Sequence, residues 1–268
     1  MYRPRGEFAL PSTRYELAEG VLRVARFRGP AEAGPTLICV PGYGATGESF
    51  ARLAPLADRL DVHLLTPPED AKRRPDVLKQ HGALVAEYAR RFDGPLLLGT
   101  SFGGPIAIEA AAQLGDALRG LILISTYAWL RHPLRFFRPI LPLLEAIARL
   151  LQPLGVFAIG GPGLDHAAAR ELLRQVNSIS MREKHARLVA ALTCNAEGSA
   201  RKIRAPVLII HGTSDRVVRL SRGRAMARLF DDVEMHEIEG AGHVPYLTHP
   251  RVIVDYIDAF ARRISHSR

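Results

Sequence analysis

The sequence predicts an α/β fold in which a mostly parallel central sheet is flanked by helices and interrupted by one inserted helical segment. Three observations predict it. Short apolar runs recur at 36–40, 62–66, 95–99, 121–125, 207–211 and, less apolar, 233–238. Helical stretches at 48–59, 75–92, 105–114, 222–230 and 250–264 alternate with them. Between Tyr127 and about residue 200 no strand candidate occurs.

Continuously apolar strands are buried on both faces, as a parallel sheet under crossover helices requires. Ahead of them, residues 13–28 run in short β-like stretches (Tyr15, Leu17; Val21, Leu22, Val24, Phe27) around Glu19-Gly20, which predicts a hairpin at a sheet edge. In the last helix Val252, Ile253, Tyr256, Ile257 and Phe260 recur at helical spacing and form one buried face. The strandless segment is split by Pro133, Pro139, Pro142, Pro153 and Pro162, each of which stops or kinks a helix. Its Trp129, Phe136, Phe137, Leu141, Leu143 and Phe157 are apolar enough to roof a pocket. Residues 1–126 and 197–268 are therefore expected to form the core, and 127–196 a helical cap, or lid.

A chain of 268 residues suits one compact unit with a modest insertion. With 47% hydrophobic and 24% charged residues it is neither disordered nor fibrous. The net charge of +9 comes almost wholly from arginine, but the arginines are scattered and build no basic block with interleaved aromatics, so no nucleic-acid partner is expected. A positive field still favours encounters with an acidic partner or an anionic membrane surface. Cys39 and Cys194 stand far apart and suggest neither a disulfide framework nor a metal motif. The first ten residues carry Arg3, Arg5 and Glu7 with no apolar run behind them, unlike a secretory signal, and a cytoplasmic location is expected. The stretch nearest to a membrane span, 134–160, is broken by Arg135, Arg138, Glu145 and Arg149. It reads as part of the cap in preference to an interfacial membrane helix.

The chemistry is concentrated at three places. Gly99-Thr100-Ser101-Phe102-Gly103 follows an apolar strand and opens a helix. A serine on such a sharp turn projects its hydroxyl above the sheet, beside the N–H groups at the start of the helix. A serine hydroxyl is a weak nucleophile near neutral pH and needs a base, a task that suits histidine. Of ten histidines, His243 is the candidate, because Gly240-Ala241-Gly242-His243-Val244-Pro245 joins the last strand to the last helix at the same sheet edge. His236 lies in a strand, His249 begins a helix, and His211 ends a strand, where it can hydrogen-bond nearby backbone. The acid that orients the histidine is expected at Asp215, in the turn after the strand 207–211. Asp231 and Asp232 end a helix on the opposite edge, Glu237 and Glu239 lie in or beside a strand, and Ser125-Thr126-Tyr127, after the strand 121–125, offers no acid.

The order Ser101, Asp215, His243, the serine turn, the glycine-rich stretch near residue 42 and the helical insertion together resemble the α/β-hydrolase superfamily, over nearly the whole chain. The resemblance implies a serine hydrolase of esterase or lipase type. It also implies an oxyanion hole built from the backbone N–H groups of Tyr43 and Phe102. In the family a His-Gly pair commonly precedes the first of these donors. Here Pro41-Gly42-Tyr43-Gly44 replaces it, which leaves the backbone role but removes a hydrogen bond that braces the loop. A second departure is the charged loop at 67–76, where relatives carry an Asp followed by glycines and a serine; its role is open, a solvated loop being the default.

With serine at the turn, the expected reaction is hydrolysis of a small, partly hydrophobic carboxylic ester or thioester through an acyl-enzyme, with no cofactor and no metal. Trp129, Phe136 and Phe137 are the expected substrate-binding residues. An acyltransferase or a carbon–carbon bond hydrolase would use the same three residues. An aminopeptidase would need a cap carboxylate such as Glu145, Asp165 or Glu171. A noncatalytic receptor for a small ligand is the reading from a different class. Oligomeric state and physiological substrate are not legible.

Overall fold

The computed structural model describes residues 10–27, 29, 34–66, 76–130, 155–156, 159–161, 163–179 and 181–265. Phe136, Phe137, Glu145 and the charged loop up to residue 75 lie outside the described residues.

An eight-stranded sheet runs in the order β1-β2-β4-β3-β5-β6-β7-β8. The strands are β1 (Ser12–Leu17), β2 (Gly20–Arg26), β3 (Gly34–Val40), β4 (Leu60–Thr66), β5 (Leu96–Thr100), β6 (Gly120–Ile124), β7 (Val207–Gly212) and β8 (Val233–Ile238). The hairpin β1–β2 is antiparallel and closes one edge, as its alternation predicted, and β2 pairs antiparallel with β4. From β4 to β8 all neighbours are parallel.

The helices α1 (Val77–Ala89), α2 (Gly103–Leu114) and α6 (Leu220–Ala227) complete crossovers between strands, and α8 (Pro250–Ser265) follows the last strand. Between β3 and β4 the predicted helix forms as a 3₁₀ helix, Gly47–Asp58. Pro55 inside it has no N–H to offer an α-helical ladder. The strandless segment supplies α3 (His166–Ser178), α4 (Met181–Leu192) and the single turn α5 (Glu197–Ala200). A one-turn helix, α7 (Pro245–Thr248), precedes α8.

Both faces of the sheet are covered, so its central strands are apolar on both sides. Ile38, Val40 and Leu97 face Val85, Ile106 and Ala110 of α1 and α2. Leu37, Cys39, Leu96 and Leu98 face Phe50 and Leu53 of the 3₁₀ helix and Ile257 and Phe260 of α8. In α8 Ile253, Ile257 and Phe260 are buried as expected, while Val252 and Tyr256 flank them half-buried. Cys39 and Cys194 are both buried and unbonded to each other.

The strand order turns round at β3. From β3 the chain moves to β4 on one side, and β5 then pairs on the other. In open α/β sheets the crevice beyond the C-terminal ends of the strands at such a switch point is where ligands bind. Here those ends lead into the 41–46 loop and into Ser101.

Candidate active site

Ser101 holds φ = 49°, a left-handed backbone conformation, in the turn between β5 and α2. A non-glycine residue adopts this only when its surroundings over-determine it. Its N–H donates to Ile124 O at 3.2 Å, and its carbonyl accepts from Gly104 N–H at 3.0 Å and from the Thr126 hydroxyl. The turn is thus tied to β6 from both sides. Packing demands the glycine at 103: a Cβ there would stand 2.3 Å from Val40 O and 2.6 Å from Pro41 O. Gly103→Ala should force α2 away from the end of β3, with a loss of about 1–3 kcal/mol in stability. The check is thermal unfolding, and an unchanged midpoint would contradict the close approach.

His243 bridges the serine and the acid. Its Nε2 lies 2.9 Å from Ser101 Oγ and its Nδ1 lies 2.8 Å from Asp215 Oδ2. Both His243 and Asp215 are buried. Asp215 Oδ1 accepts the backbone N–H groups of Val217 and Val218, each at 2.9 Å. Burial by itself would raise the Asp215 pKa, but hydrogen bonds from His211, His243 and Val218 outweigh it and hold the carboxyl well below the usual range. It is therefore a fixed negative charge against His243 Nδ1, able to stabilise an imidazolium.

The 41–46 loop closes the site on the other side. A Cβ on Gly42 would stand 2.9 Å from Ser101 Cβ, so glycine there lets the loop backbone lie directly on Ser101. Tyr43 follows Gly42 in this loop, and Phe102 follows Ser101 as the N-cap residue of α2. Gly44, at φ = 69°, turns the loop back, and Ala45 N–H donates to Gly42 O at 3.3 Å.

The rival acids are engaged elsewhere. Glu237 makes two 2.7 Å bonds to Arg224 on the surface, Asp231 pairs with Arg204, and Asp232 lies 3.5 Å from Arg263. In the strandless segment Asp165 caps α3 through Ala168 N–H and pairs with Arg52, while Glu171 binds Arg174 and Gln175. Trp129 sits at the neck of this segment, its backbone bridged to Asn195 and its ring under the Arg222 guanidinium at 5.1 Å. Phe136 and Phe137 lie outside the described residues. Among the described residues no group of three or more His, Cys, Asp or Glu side chains is placed to hold a metal ion. No described helix is long and apolar enough to cross a membrane.

A sequence profile of the alpha/beta hydrolase family matches residues 37–256, which take in the serine turn, Asp215 and His243. The chain belongs to that family. A pimeloyl-[acyl-carrier protein] methyl ester esterase of Methylococcus capsulatus is 29% identical over 245 residues, covering 81% of this chain and 90% of that protein. A polyketide synthase of Burkholderia thailandensis is 27% identical over 250 residues; these cover 85% of this chain but only 12% of the synthase. Among solved structures, an esterase from Rhodococcus sp. ECU1013 superposes with a TM-score of 0.78 at 21% identity, over 96% of this chain and 99% of that one. A hydrolase from Pseudomonas aeruginosa does so at 0.83 and 19%, over 94% and 99%.

Three residues of this α/β hydrolase escaped the sequence reading. His211, read only as a backbone partner, does bond Val218 O at 2.8 Å, and its Nε2 also lies 3.5 Å from Asp215 Oδ2. Thr126, in the loop that offers no acid, instead anchors the Ser101 carbonyl. Arg187 of α4, with nothing in its helical context to single it out, is wholly buried against the 41–46 loop.

Proposed function

We propose that this α/β hydrolase cleaves a carboxylic ester, or a thioester, of a small and partly hydrophobic substrate through an acyl-enzyme on Ser101. The observation that carries the reading is the unbroken hydrogen-bond chain Asp215–His243–Ser101, with Gly42 packed on the serine. His243 Nε2 takes the hydroxyl proton as Ser101 Oγ adds to the carbonyl carbon. The negative charge that develops on the carbonyl oxygen is received by the N–H groups of Tyr43 and Phe102. As the tetrahedral intermediate collapses, the bond to the leaving alcohol or thiol breaks and His243 returns the proton to it. Water then repeats the sequence on the acyl-enzyme and frees the acid. Asp215 keeps Nδ1 protonated throughout and stabilises the transient imidazolium. No step calls for a cofactor or a metal.

The methyl ester esterase among the relatives supports an acyl ester as the substrate class. An acyltransferase or carbon–carbon hydrolase would use the same three residues. The aminopeptidase reading is weakened, because Asp165 and Glu171 are spent on Arg52 and Arg174. Residues 127–196 act in this proposal as a cap that sets substrate choice, with Trp129, Phe136 and Phe137 as its substrate-binding residues. A cytoplasmic setting suits the two unbonded cysteines.

A fluorophosphonate probe should label Ser101, and a panel of p-nitrophenyl esters of rising chain length, run beside thioesters and amino-acid amides, should show turnover concentrated on esters or thioesters. Activity should decline on acidification, since an imidazolium cannot accept the serine proton. No labelling and no turnover across the panel would favour a noncatalytic receptor; turnover of amides alone would favour a peptidase.

A further inference from the structure

We propose that Arg187, on α4, is a positioning residue that holds the Gly42–Tyr43 peptide so that the Tyr43 N–H faces the reacting carbonyl oxygen. The proposal rests on the reading of Ser101 and Tyr43 given above and extends it to a residue of the inserted segment.

Among the described residues Arg187 is the largest fully buried side chain, at 0% exposure. Its Nη2 donates to Gly42 O at 3.1 Å, and its Nε lies 3.9 Å from Glu183 Oε1. Nε and Nη1 have no hydrogen-bond partner among the described residues. Burying a guanidinium with two of its three nitrogens lacking a hydrogen bond is costly, and the Glu183 carboxylate, 3.9 Å from Nε, offsets only part of that cost. The space beside it is a cavity of about 20 Å³ walled by apolar side chains, among them Leu22, Val40, Leu84 and Ile106. A methionine or leucine would pack there at no such cost. What an apolar residue could not supply is the bond to Gly42 O.

That carbonyl is informative because it shares a peptide unit with the Tyr43 N–H. No peptide bond among the described residues is cis. In a trans peptide C=O and N–H point in opposite directions, so fixing one fixes the other. A cation on the carbonyl oxygen also draws electron density towards that end, leaving the N–H a stronger donor. Pro41 contributes no N–H, and the bond from Ala45 N–H to the same carbonyl is long, at 3.3 Å. The nearby His81 leaves the cation unopposed: burial, and then Arg187 itself, push its pKa down to about 3.

The inserted segment also grips the other half of the site, since Ile159 O accepts the His243 backbone N–H at 3.0 Å. The oxyanion loop and the histidine loop are therefore both tied to the segment that covers them.

The test compares Arg187→Met, which fills the space without a donor, with Arg187→Lys, which restores a charged one. Active sites are titrated with a fluorophosphonate, so that only competent protein is counted, and kcat and KM are measured per titrated site with p-nitrophenyl butyrate. Removing an oxyanion donor outright costs roughly 10²–10³-fold, so misaligning one should lower kcat by about 10- to 100-fold in the Met variant, with KM within about twofold and substantial recovery in the Lys variant. The rate of phosphonylation should fall in parallel. A kcat within threefold of the parent, or a rise in KM alone, overturns the proposal. If the Met variant does not fold, Arg187→Leu, which likewise offers no donor, carries the same comparison. Ser101→Ala is run alongside: if it stays active, the site reading and this proposal fail together. If it is inactive while Arg187→Met is unimpaired, only this proposal fails.

Discussion

Ser101→Ala should lower ester turnover by about a millionfold while leaving the fold intact, the largest effect expected of any single change in the chain. Ser101, His243 and Asp215 form one hydrogen-bonded unit, so removing the nucleophile also idles the base and the acid. What survives is the acceleration that donors and binding give without covalent chemistry. The cost to folding should be small or even negative. Ser101 is only half-buried and its Oγ has no structural partner besides His243. Its left-handed backbone remains strained with alanine, so thermal unfolding should stay close to the parent's. Turnover is measured with a short-chain p-nitrophenyl ester and unfolding by circular dichroism. Activity within tenfold of the parent would refute the assignment of the nucleophile.

Much of this site could be read before any coordinates, and the reason lies in which interactions are local. The serine turn is a strand, a turn and a helix contiguous in sequence, and the small residues its packing needs are written beside the serine. Asp215 and His243 each directly follow a strand of a parallel sheet, and such strands all end on the same edge. Arg187 is the opposite case. It lies 145 residues from Gly42, on a helix whose pattern of Arg182, Glu183, Lys184 and Arg187 reads as a solvated face. Only tertiary packing turns Lys184 and Arg187 inward, Lys184 onto Val176 O and Arg187 onto the 41–46 loop. The 3₁₀ form of Gly47–Asp58 was hidden for a smaller reason, because apolar periodicity marks a helical segment but does not separate an α from a 3₁₀ ladder.

Asp215→Asn should lower kcat/KM by roughly ten-thousandfold, through the tautomer of His243 and with little change in shape. The amide is nearly isosteric with the carboxylate, and its oxygen can still accept the Val217 and Val218 N–H groups that fix the turn. Its NH₂ then faces His243 Nδ1, where the carboxylate accepted a hydrogen bond. Two donors cannot share that contact, so the imidazole moves its proton to Nε2 and meets Ser101 Oγ as a donor, unable to take the hydroxyl proton. Asp231→Asn and Glu237→Gln, whose side chains pair with Arg204 and Arg224 on the surface, should stay within about twofold. A ten-thousandfold loss in either of those would move the acid away from Asp215. Acid unfolding gives an independent reading. Because the folded-state pKa of Asp215 is depressed, its carboxylate contributes stability that is fully present above the unfolded value near ~3.9 and is lost as pH falls through the lower folded value. The asparagine variant has no such contribution to lose. Its stability should therefore fall less steeply than the parent's below about pH 4, and identical acid-unfolding profiles would show that the carboxylate is not held by His211, His243 and Val218.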